Sequence, residues 1–288
     1  MKVWIDGAVV DGSQARIPVT DHGFLYGDGI FEGIRLYSRR IFRFDDHLSR
    51  LAVGARCLAL TIPGGIEAVR RIVIDTARAH GRDDAYLRLI VSRGEGSLGV
   101  DPTTCKDPRI VCIADQVRLY PEEKVQSGIA LVTSSLRRPA PDVLDPRVKS
   151  LNYLNSALAK LEARRQGADE ALLLNGAGRV VEASVANVFA VRAGRLLTPP
   201  ASDGALEGLT RATVLELAGE QRVAAEERSL GRFDLIAAEE VFLTGSGAGI
   251  VAVGSLDGIG IGKGGPGPIT RRIRQAFERY VRSTGTPI

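Results

Sequence analysis

Lys149 is the residue of this sequence whose type and setting best suit covalent chemistry. It lies in the run PRVKSLNYLNSALAK (146–160), between a valine and a serine, and only six of the 38 basic residues in the chain are lysines. A lysine amine attacks a carbonyl carbon in its neutral form, which an apolar setting favours. Position alone favours an ordinary surface lysine at a helix start, so the surrounding residues must decide between the two.

Several other kinds of catalytic site are not supported by the sequence. The three histidines, His22, His47 and His80, lie far apart and the cysteines have no CxxC spacing, so we expect no metal site. No GxSxG run marks a serine nucleophile. The glycine-rich run 258–265 fails as a phosphate-binding P-loop because Asp257 stands where the first glycine is needed.

Length and composition predict a mixed protein with a well-buried core. The 288 residues are 44% hydrophobic, which suits two domains or one large α/β unit. We expect no membrane span, because no apolar run reaches roughly 18 residues, and a cytoplasmic location, because the first residues lack the apolar core of a secretory signal. The arginines are scattered and aromatic residues make up only 5%, so we expect no nucleic-acid binding.

The apolar periodicity predicts strands and helices mixed in two halves, an α/β or α+β chain. Hairpins are predicted to turn at 6–7, 175–178 and 193–194. The predicted strands are 40–44, 85–92, 109–114 and 128–135. The predicted helices are one capped by Asp45 or Asp46, one over 66–80, one with the apolar stripe Leu151, Leu154, Leu158 and Leu161, one opening near Thr210 and one over 269–282. The polar segment 117–127 is the predicted linker between domains 1–116 and 128–288.

An ordered set of runs accompanies Lys149 along the chain. The runs are YGDGIFEGIRLY (26–37), DDHLSRL (45–51), AYLRLIVSRG (85–94), SLNYLN (150–155), VVEASVANVF (180–189), LEGLTRATV (206–214) and VFLTGSGAG (241–249). Together they resemble the class IV pyridoxal-phosphate aminotransferases, the group that includes the branched-chain and D-amino-acid aminotransferases. The resemblance implies a two-domain fold type IV structure, with an N-terminal α/β sandwich and a C-terminal pseudo-barrel. It also implies pyridoxal 5'-phosphate as the cofactor.

The resemblance implies roles for residues around that cofactor. Lys149 becomes the Schiff-base lysine, and Glu182 faces the pyridine nitrogen and keeps it protonated. Tyr153, taken to lie one helical turn after Lys149, hydrogen-bonds the phenolic oxygen. Arg50 grips the phosphate with its forked guanidinium. The ordinary alternatives are a solvated hairpin glutamate, a half-buried helix tyrosine and a surface arginine.

Two further segments are implied to hold the phosphate. Leu209 and Thr210 open a helix, whose backbone amides and dipole suit a dianion. Ser246 and Gly247 match a second turn that meets the phosphate and the substrate carboxylate. Asn187 matches an asparagine beside the glutamate strand, where we expect it to support the structure.

The substrate side resembles the branched-chain enzymes more than the D-amino-acid enzymes. Tyr86 and Arg88 match residues near the substrate carboxylates, where an arginine suits the distal carboxylate of 2-oxoglutarate. Phe31, Gly33 and Tyr26 belong to the run that walls the side-chain pocket. In the family Tyr26 lies on a segment that enters the neighbouring subunit's site, so a homodimer is implied. Ordinary strand positions are the alternative for Tyr86 and Arg88.

Two runs depart from the usual family pattern. The chain has GSGAGI (245–250) where the family often reads GTAAEI, and EASVAN (182–187) where it often reads EGxxxN. The sequence therefore predicts a transaminase that exchanges an amino group between a branched-chain L-amino acid and 2-oxoglutarate. The alternatives are a D-amino-acid or (R)-amine aminotransferase, an aminodeoxychorismate-lyase-like enzyme, and a non-catalytic scaffold that binds anions.

Overall fold

The structure is a computed structural model that describes residues 1–288. The strands are β1 (Lys2–Ile5), β2 (Ala8–Asp11), β3 (Gly29–Tyr37), β4 (Arg40–Ile41), β5 (Ala85–Ser92), β6 (Arg109–Asp115), β7 (Ile129–Arg137), β8 (Glu170–Leu174), β9 (Val180–Ala183), β10 (Asn187–Arg192), β11 (Arg195–Thr198), β12 (Ala225–Glu227), β13 (Glu240–Gly245), β14 (Gly249–Leu256), β15 (Ile259–Gly260) and β16 (Thr286–Pro287).

The helices are α1 (His22–Tyr26), α2 (Phe44–Cys57), α3 (Gly65–His80), α4 (Glu122–Ser127), α5 (Pro141–Leu144), α6 (Leu154–Arg165), α7 (Leu209–Glu220), α8 (Arg232–Ile236) and α9 (Pro268–Ser283). Strands and helices are mixed throughout the chain, as its periodicity predicts. None of the helices combines the length and the apolar character needed to cross a lipid bilayer.

The chain forms two compact units. The first contains Met1–Val117, Val148–Asn152 and Val281–Ile288, and the second contains Arg118–Arg147 and Tyr153–Tyr280. The short segment around Lys149 therefore groups with the first unit. The functional division into 1–116, 117–127 and 128–288 stays a prediction, although the predicted linker is not all irregular, since it contains α4.

The first unit is a seven-stranded sheet with two helices on one face. The strand order is β16-β4-β3-β5-β6-β1-β2, and all of its pairings are antiparallel. Leu87, Leu89 and Val91 of β5 are fully buried and pack in one core with residues of α2 and α3. The alternate residues of β5 are only half-buried. Because successive side chains of a strand point to opposite faces, Tyr86 and Arg88 lie on the face away from these helices.

The segment that carries Lys149 extends this sheet at the free edge of β3. The backbone N–H of Phe31 donates to the carbonyl of Lys149 at 2.9 Å, and the N–H of Leu151 donates to the carbonyl of Gly29 at 2.9 Å. Ile30 and Ser150 form an isolated antiparallel bridge between these two bonds. The backbone on both sides of this segment is thus bonded to a strand, although a helix follows it in the chain. The N–H of Ser150 also donates to the carbonyl of Val148 at 2.8 Å, which makes Lys149 the central residue of a tight three-residue turn.

The second unit is a nine-stranded sheet that curls on itself. Its order is β12-β11-β10-β13-β14-β7-β8-β9, with β15 paired to β14. Strands β9 and β10 are distant in this order, yet only three residues, Ser184 to Ala186, separate them in the chain. The N–H of Ala183 donates to the carbonyl of Ala186 at 2.7 Å across that turn. The sheet must therefore bend until its far strand returns to β10, as in a half-barrel.

The start of α2 corrects the predicted strand and cap near residue 44. The strand predicted over 40–44 is only β4, because Phe44 already opens the helix. Neither Asp45 nor Asp46 is the N-cap; both lie in the first turn, and Arg43 precedes the helix at φ 47°. Carboxylates in the first turn still stabilise the positive end of the helix. The two aspartates therefore predict the presence of this helix correctly, although neither is its N-cap.

The leucine stripe of α6 is also corrected. Leu151 precedes the helix, while Leu154, Leu158 and Leu161 are 70%, 44% and 44% exposed. The buried residues are the small ones, Ser156, Ala159 and Ala163. Leucines at helical spacing predict the helix correctly, but they do not show which face is covered. Small side chains let α6 lie close to β7 and β8, so the alanine face is the inner one.

Candidate active site

Four of the predicted residues meet on the open face of the first unit. The Nζ of Lys149 lies 4.5 Å from the centroid of the Phe31 ring, and the guanidinium carbon of Arg88 lies 4.3 Å from it. Arg88 also lies 5.6 Å from the ring of Tyr86. Cations are attracted to the faces of aromatic rings. Phe31 thus serves as a buried surface that orients an amine and a guanidinium.

Gly33 is a glycine because Tyr86 lies across it. A Cβ at Gly33 would stand 2.2 Å from the hydroxyl oxygen of Tyr86, so any larger residue would displace that ring. The predicted Tyr26 ends α1, and its hydroxyl donates to the carbonyl of Leu98. Its ring meets the ring of His22 edge-on, with centroids 4.9 Å apart. These contacts tie Tyr26 to the start of α1 and to the loop that follows β5.

Arg50 is held by a buried carboxylate that the sequence did not single out. Its Nε and one terminal nitrogen each donate to Glu32 at 2.7 Å, one to each oxygen. His47 donates from Nδ1 to the same carboxylate at 2.7 Å. Glu32 is 1% exposed and His47 0%. A charge inside the apolar strand GIFEGIRLY is the signal that could have predicted a partner for Glu32.

The electrostatics of this group favour an ionised Glu32 beside a neutral His47. Burial alone would raise the pKa of Glu32, but Arg50 and His47 outweigh it and lower the pKa to about 2 from 4.5. Burial lowers the pKa of His47 below 6.5, and Arg50 and Lys149 lower it further, against the opposing effect of Glu32. The Nε2 of His47 is buried and has no hydrogen-bond partner. A lone pair there, with the proton on Nδ1, fits that environment.

In the second unit, Glu182 lies at the end of β9 and accepts hydrogen bonds from three directions. A terminal nitrogen of Arg138 lies 2.8 Å from one of its oxygens. The side-chain amide of Asn187 and the backbone N–H of Leu206 each donate to the other at 3.2 Å. Glu182 is only 4% exposed. These donors fix the plane of a buried, charge-paired carboxylate.

Arg138 is the residue of this group that sequence reasoning missed. It follows β7 and also donates to the hydroxyl of Ser156 on α6 at 3.0 Å. The pair Arg137-Arg138 before the loop PAPD was visible in the sequence, but nothing local connects it to Glu182, which lies 44 positions later. Only the fold of the sheet brings the two together.

Helix α7 begins with an uncapped N-terminus at the predicted residues Leu209 and Thr210. Gly208 is the N-cap, with no side chain to satisfy the first amides, and the first turn contains no acidic residue. A Cβ at Gly208 would stand 1.9 Å from the amide oxygen of Asn187. The start of α7 therefore packs directly on the residue that supports Glu182. Unsatisfied amides at the positive end of a helix form a ready site for an anion.

The predicted Ser246 and Gly247 form the turn between β13 and β14. Gly245 and Gly249 pair across it, and a Cβ at Gly247 would stand 3.0 Å from a terminal carbon of Leu119. Gly249 has φ +66°, a conformation that glycine adopts without strain. The family glutamate is absent at this position, and the left-handed backbone here favours the glycine found instead.

The prediction that Tyr153 lies one helical turn after Lys149 is wrong. It is the half-buried N-cap of α6, and its side chain makes no capping bond. Lys149 and Leu151 hydrogen-bond to the backbone of β3 and precede α6, so the helical spacing does not apply. Tyr153 belongs to the second unit and Lys149 to the first.

The chain is similar to known proteins over nearly its whole length. Residues 29–256 match the model of a family described as amino-transferase class IV. A protein of Methanocaldococcus jannaschii, provisionally named a branched-chain-amino-acid aminotransferase, is 44% identical, with 96% of each chain covered. The crystal structure of the Escherichia coli branched-chain amino acid aminotransferase has 33% identity and a TM-score of 0.94, covering 99% of this chain and 95% of its own.

A third similar protein has been solved with its cofactor. The crystal structure of the branched-chain amino acid aminotransferase from Thermobaculum terrenum, described as its PLP-form or holo-form, has 31% identity and a TM-score of 0.87. The alignment covers 98% of this chain and 94% of that one. The three similarities agree with one another in family and in fold.

Proposed function

Since this chain belongs to the class IV aminotransferases, we propose that it is a pyridoxal-phosphate-dependent branched-chain amino acid aminotransferase. The family resemblance and the fold type IV architecture predicted from the sequence are confirmed by the family match and by the similar structures. The observation that carries the proposal is Lys149, fixed on the edge of β3 with its amine 4.5 Å from the ring of Phe31.

The donor set of the chain fits pyridoxal 5'-phosphate. Lys149 offers an amine for covalent attachment and Glu182 an oriented carboxylate for the pyridine nitrogen. Arg50 in the first unit offers a forked cation that suits the phosphate. In the second unit, the uncapped start of α7 at Thr210 and the turn at Ser246 offer donors that suit the same group. Bound there, the cofactor supplies an aldehyde for an amine and a ring that withdraws electrons from the α-carbon of the substrate.

The residues of the chain divide the catalytic work. The neutral amine of Lys149 would act as the general base that takes the proton from the α-carbon of the donor amino acid, and its ammonium form as the general acid that delivers a proton to the α-carbon of the product amino acid. Glu182 would accept a hydrogen bond from the protonated pyridine nitrogen and so favour that protonation state. Arg138 and Asn187 keep its carboxylate in the required plane. We assign Tyr153 to the phenolic oxygen of the cofactor.

The substrate specificity rests on the open face of the first unit. Arg88 presents a forked guanidinium that suits the carboxylate of glutamate or 2-oxoglutarate, and Tyr86 lies beside it. Phe31 supplies an apolar wall for a branched side chain, while Gly33 leaves room for Tyr86. In support, the similar proteins of Methanocaldococcus jannaschii, Escherichia coli and Thermobaculum terrenum all carry names for enzymes that act on branched-chain amino acids.

We also infer that the chain acts as a homodimer. Val19, Phe24 and Leu98 are large apolar residues that are 75%, 65% and 77% exposed. They lie on segments that meet, since the backbone N–H of His22 donates to the carbonyl of Gly94 at 2.9 Å. A cluster of exposed apolar side chains marks an association surface. Light scattering should give the mass of a dimer or a larger closed assembly, and F24D/L98D should lower that mass to one chain.

The proposed activity is tested by trapping and by turnover. Purified protein supplied with pyridoxal phosphate should become yellow, and borohydride reduction should fix the cofactor on the peptide that contains Lys149. L-leucine with 2-oxoglutarate should then yield glutamate, and K149A should abolish both results. An adduct on another residue, or none, would refute the role of Lys149. Rapid turnover of D-alanine with none of L-leucine would refute the branched-chain assignment.

A further inference from the structure

Glu32 and His47 lie behind the proposed phosphate arginine and have no role in the family assignment made above. Glu32 lies on β3 between Phe31 and Gly33, and its side chain points to the face opposite theirs. It reaches α2, where His47 and Arg50 are three positions apart and so lie on one face of the helix. One strand residue thus connects to two residues of the helix.

We propose that Glu32 and His47 are positioning residues that hold the Arg50 guanidinium in the orientation in which it takes the cofactor phosphate. The inference rests on the proposed function and extends it from the residues that touch the cofactor to those that aim them.

The geometry of the group supports a positioning role. Two donors of Arg50 are committed to Glu32 at 2.7 Å each, one to each carboxylate oxygen. An arginine has five N–H donors in a rigid, planar fork. Fixing one edge of that fork therefore fixes the direction of the remaining donors. The side chain of Arg50 is 14% exposed, so it is accessible where Glu32 and His47 are not.

His47 has the complementary task of fixing Glu32. Its Nδ1 donates to the same oxygen that receives the terminal nitrogen of Arg50. His47 is completely buried and neutral, so its contribution is a directed hydrogen bond and not a second charge. Without it the carboxylate could rotate about its terminal torsion, which is broad for glutamate. The carboxylate plane, and with it the arginine fork, is then less well defined.

The test compares two ligands that differ only in the phosphate. The dissociation constants of pyridoxal phosphate and pyridoxal are measured by titrating the apo-protein, and the ratio of the value for pyridoxal to the value for pyridoxal phosphate reports the phosphate contribution. We expect E32Q to reduce this ratio roughly ten- to hundredfold, the range seen for residues that orient metal ligands. Its affinity for pyridoxal should stay close to that of the wild type. A purely structural defect would instead weaken both ligands.

A double-mutant cycle tests whether Glu32 acts through Arg50. R50A should reduce the ratio more than E32Q, and adding E32Q to R50A should change it no further. The matched control is E240Q, which alters a glutamate 5% exposed that accepts from the backbone of α9. E240Q should keep the wild-type ratio.

A second pair of variants covers the case in which E32Q does not fold. H47N keeps a donor near the position of Nδ1 and should retain most of the ratio, whereas H47L removes the donor and should lower it. A wild-type ratio in E32Q, or in H47L where E32Q does not fold, would overturn the proposal. The proposal would also be overturned if E32Q lowered the ratio by the same factor in the wild-type background and in R50A. Wild-type protein that binds neither ligand would instead overturn the proposed function.

Discussion

The two buried glutamates of the proposed site are held in different ways. Glu32 receives both of its side-chain partners from one helix, and they lie 15 and 18 positions away in the chain. Glu182 receives its donors from three separate segments, at Arg138, Asn187 and Leu206. The first is a local brace between a strand and the next helix, while the second depends on the complete curled sheet. Disturbing the second should therefore affect function more widely.

The largest effect is expected when Glu182, the carboxylate that we propose for the pyridine nitrogen of the cofactor, loses its charge. E182Q keeps the shape of the side chain but cannot hold the pyridine nitrogen protonated. We expect kcat for L-leucine to fall by about a thousandfold, about 4 kcal/mol of transition-state stabilisation. Steady-state kinetics with saturating cofactor would measure it. A loss confined to KM would show that Glu182 only binds.

Removing the arginine behind Glu182 should act on stability as well as on activity. R138A leaves a carboxylate that is 4% exposed without its charged partner. Breaking a buried ion pair typically costs about 3 kcal/mol or more, measured here as the shift in free energy of unfolding in denaturant. R137A, which changes the neighbouring arginine, is the matched control and should cost much less. Equal costs would contradict the assigned pairing.

The pH dependence of stability should identify the local brace. The folded-state pKa of Glu32 is about 2, below its ordinary value of 4.5. A depressed pKa stabilises the folded state above the unfolded-state value, and that contribution is lost as pH falls from about 4.5 towards 2. Wild-type protein should therefore lose stability over this window more steeply than E32Q. Parallel curves from denaturant titrations at several pH values would exclude an ionised Glu32.

The smallest effect is expected at Ser156, which contacts Arg138 and not Glu182 itself. S156A removes the hydroxyl that accepts from Arg138 at 3.0 Å. The loss of one hydrogen bond to a charged group costs about 1.5 kcal/mol, and kcat should fall only a few-fold because Glu182 still holds the arginine. S135A, at an exposed position, is the comparison. A loss of kcat as large as that of E182Q would mean that Ser156 aims Arg138 as His47 is proposed to aim Glu32.

The same contrast explains what could be predicted from the sequence. Helix α7 was predicted near its true start because its N-cap glycine and apolar run are local. Glu32 could have been noticed, since a charge in an apolar strand needs a nearby partner. Arg138 could not be connected to Glu182, because their contact depends on the curvature of a nine-stranded sheet. The buried face of α6 was missed for a similar reason, since packing against the sheet selects small residues over leucines.

The placement of Lys149 also lies beyond local pattern. Its neighbours in the chain predict a helix start, but the backbone of Phe31, more than a hundred positions earlier, donates to its carbonyl and holds it outside the helix. Backbone pairing at a strand edge has little dependence on side-chain identity. Sequence patterns could therefore name the lysine, but they could not give its conformation.

The edge pairing of Lys149 has a consequence for how the protein is made. The first unit needs residues 148–152 at the edge of β3, and it needs β16, from the last residues of the chain, beside β4. A nascent chain of which only the first 117 residues have left the ribosome therefore contains an incomplete sheet. Such sequence-distant closures slow folding and leave strand edges exposed to other chains during synthesis. Lys149 is thus added to this sheet late, after most of the sheet has already been translated.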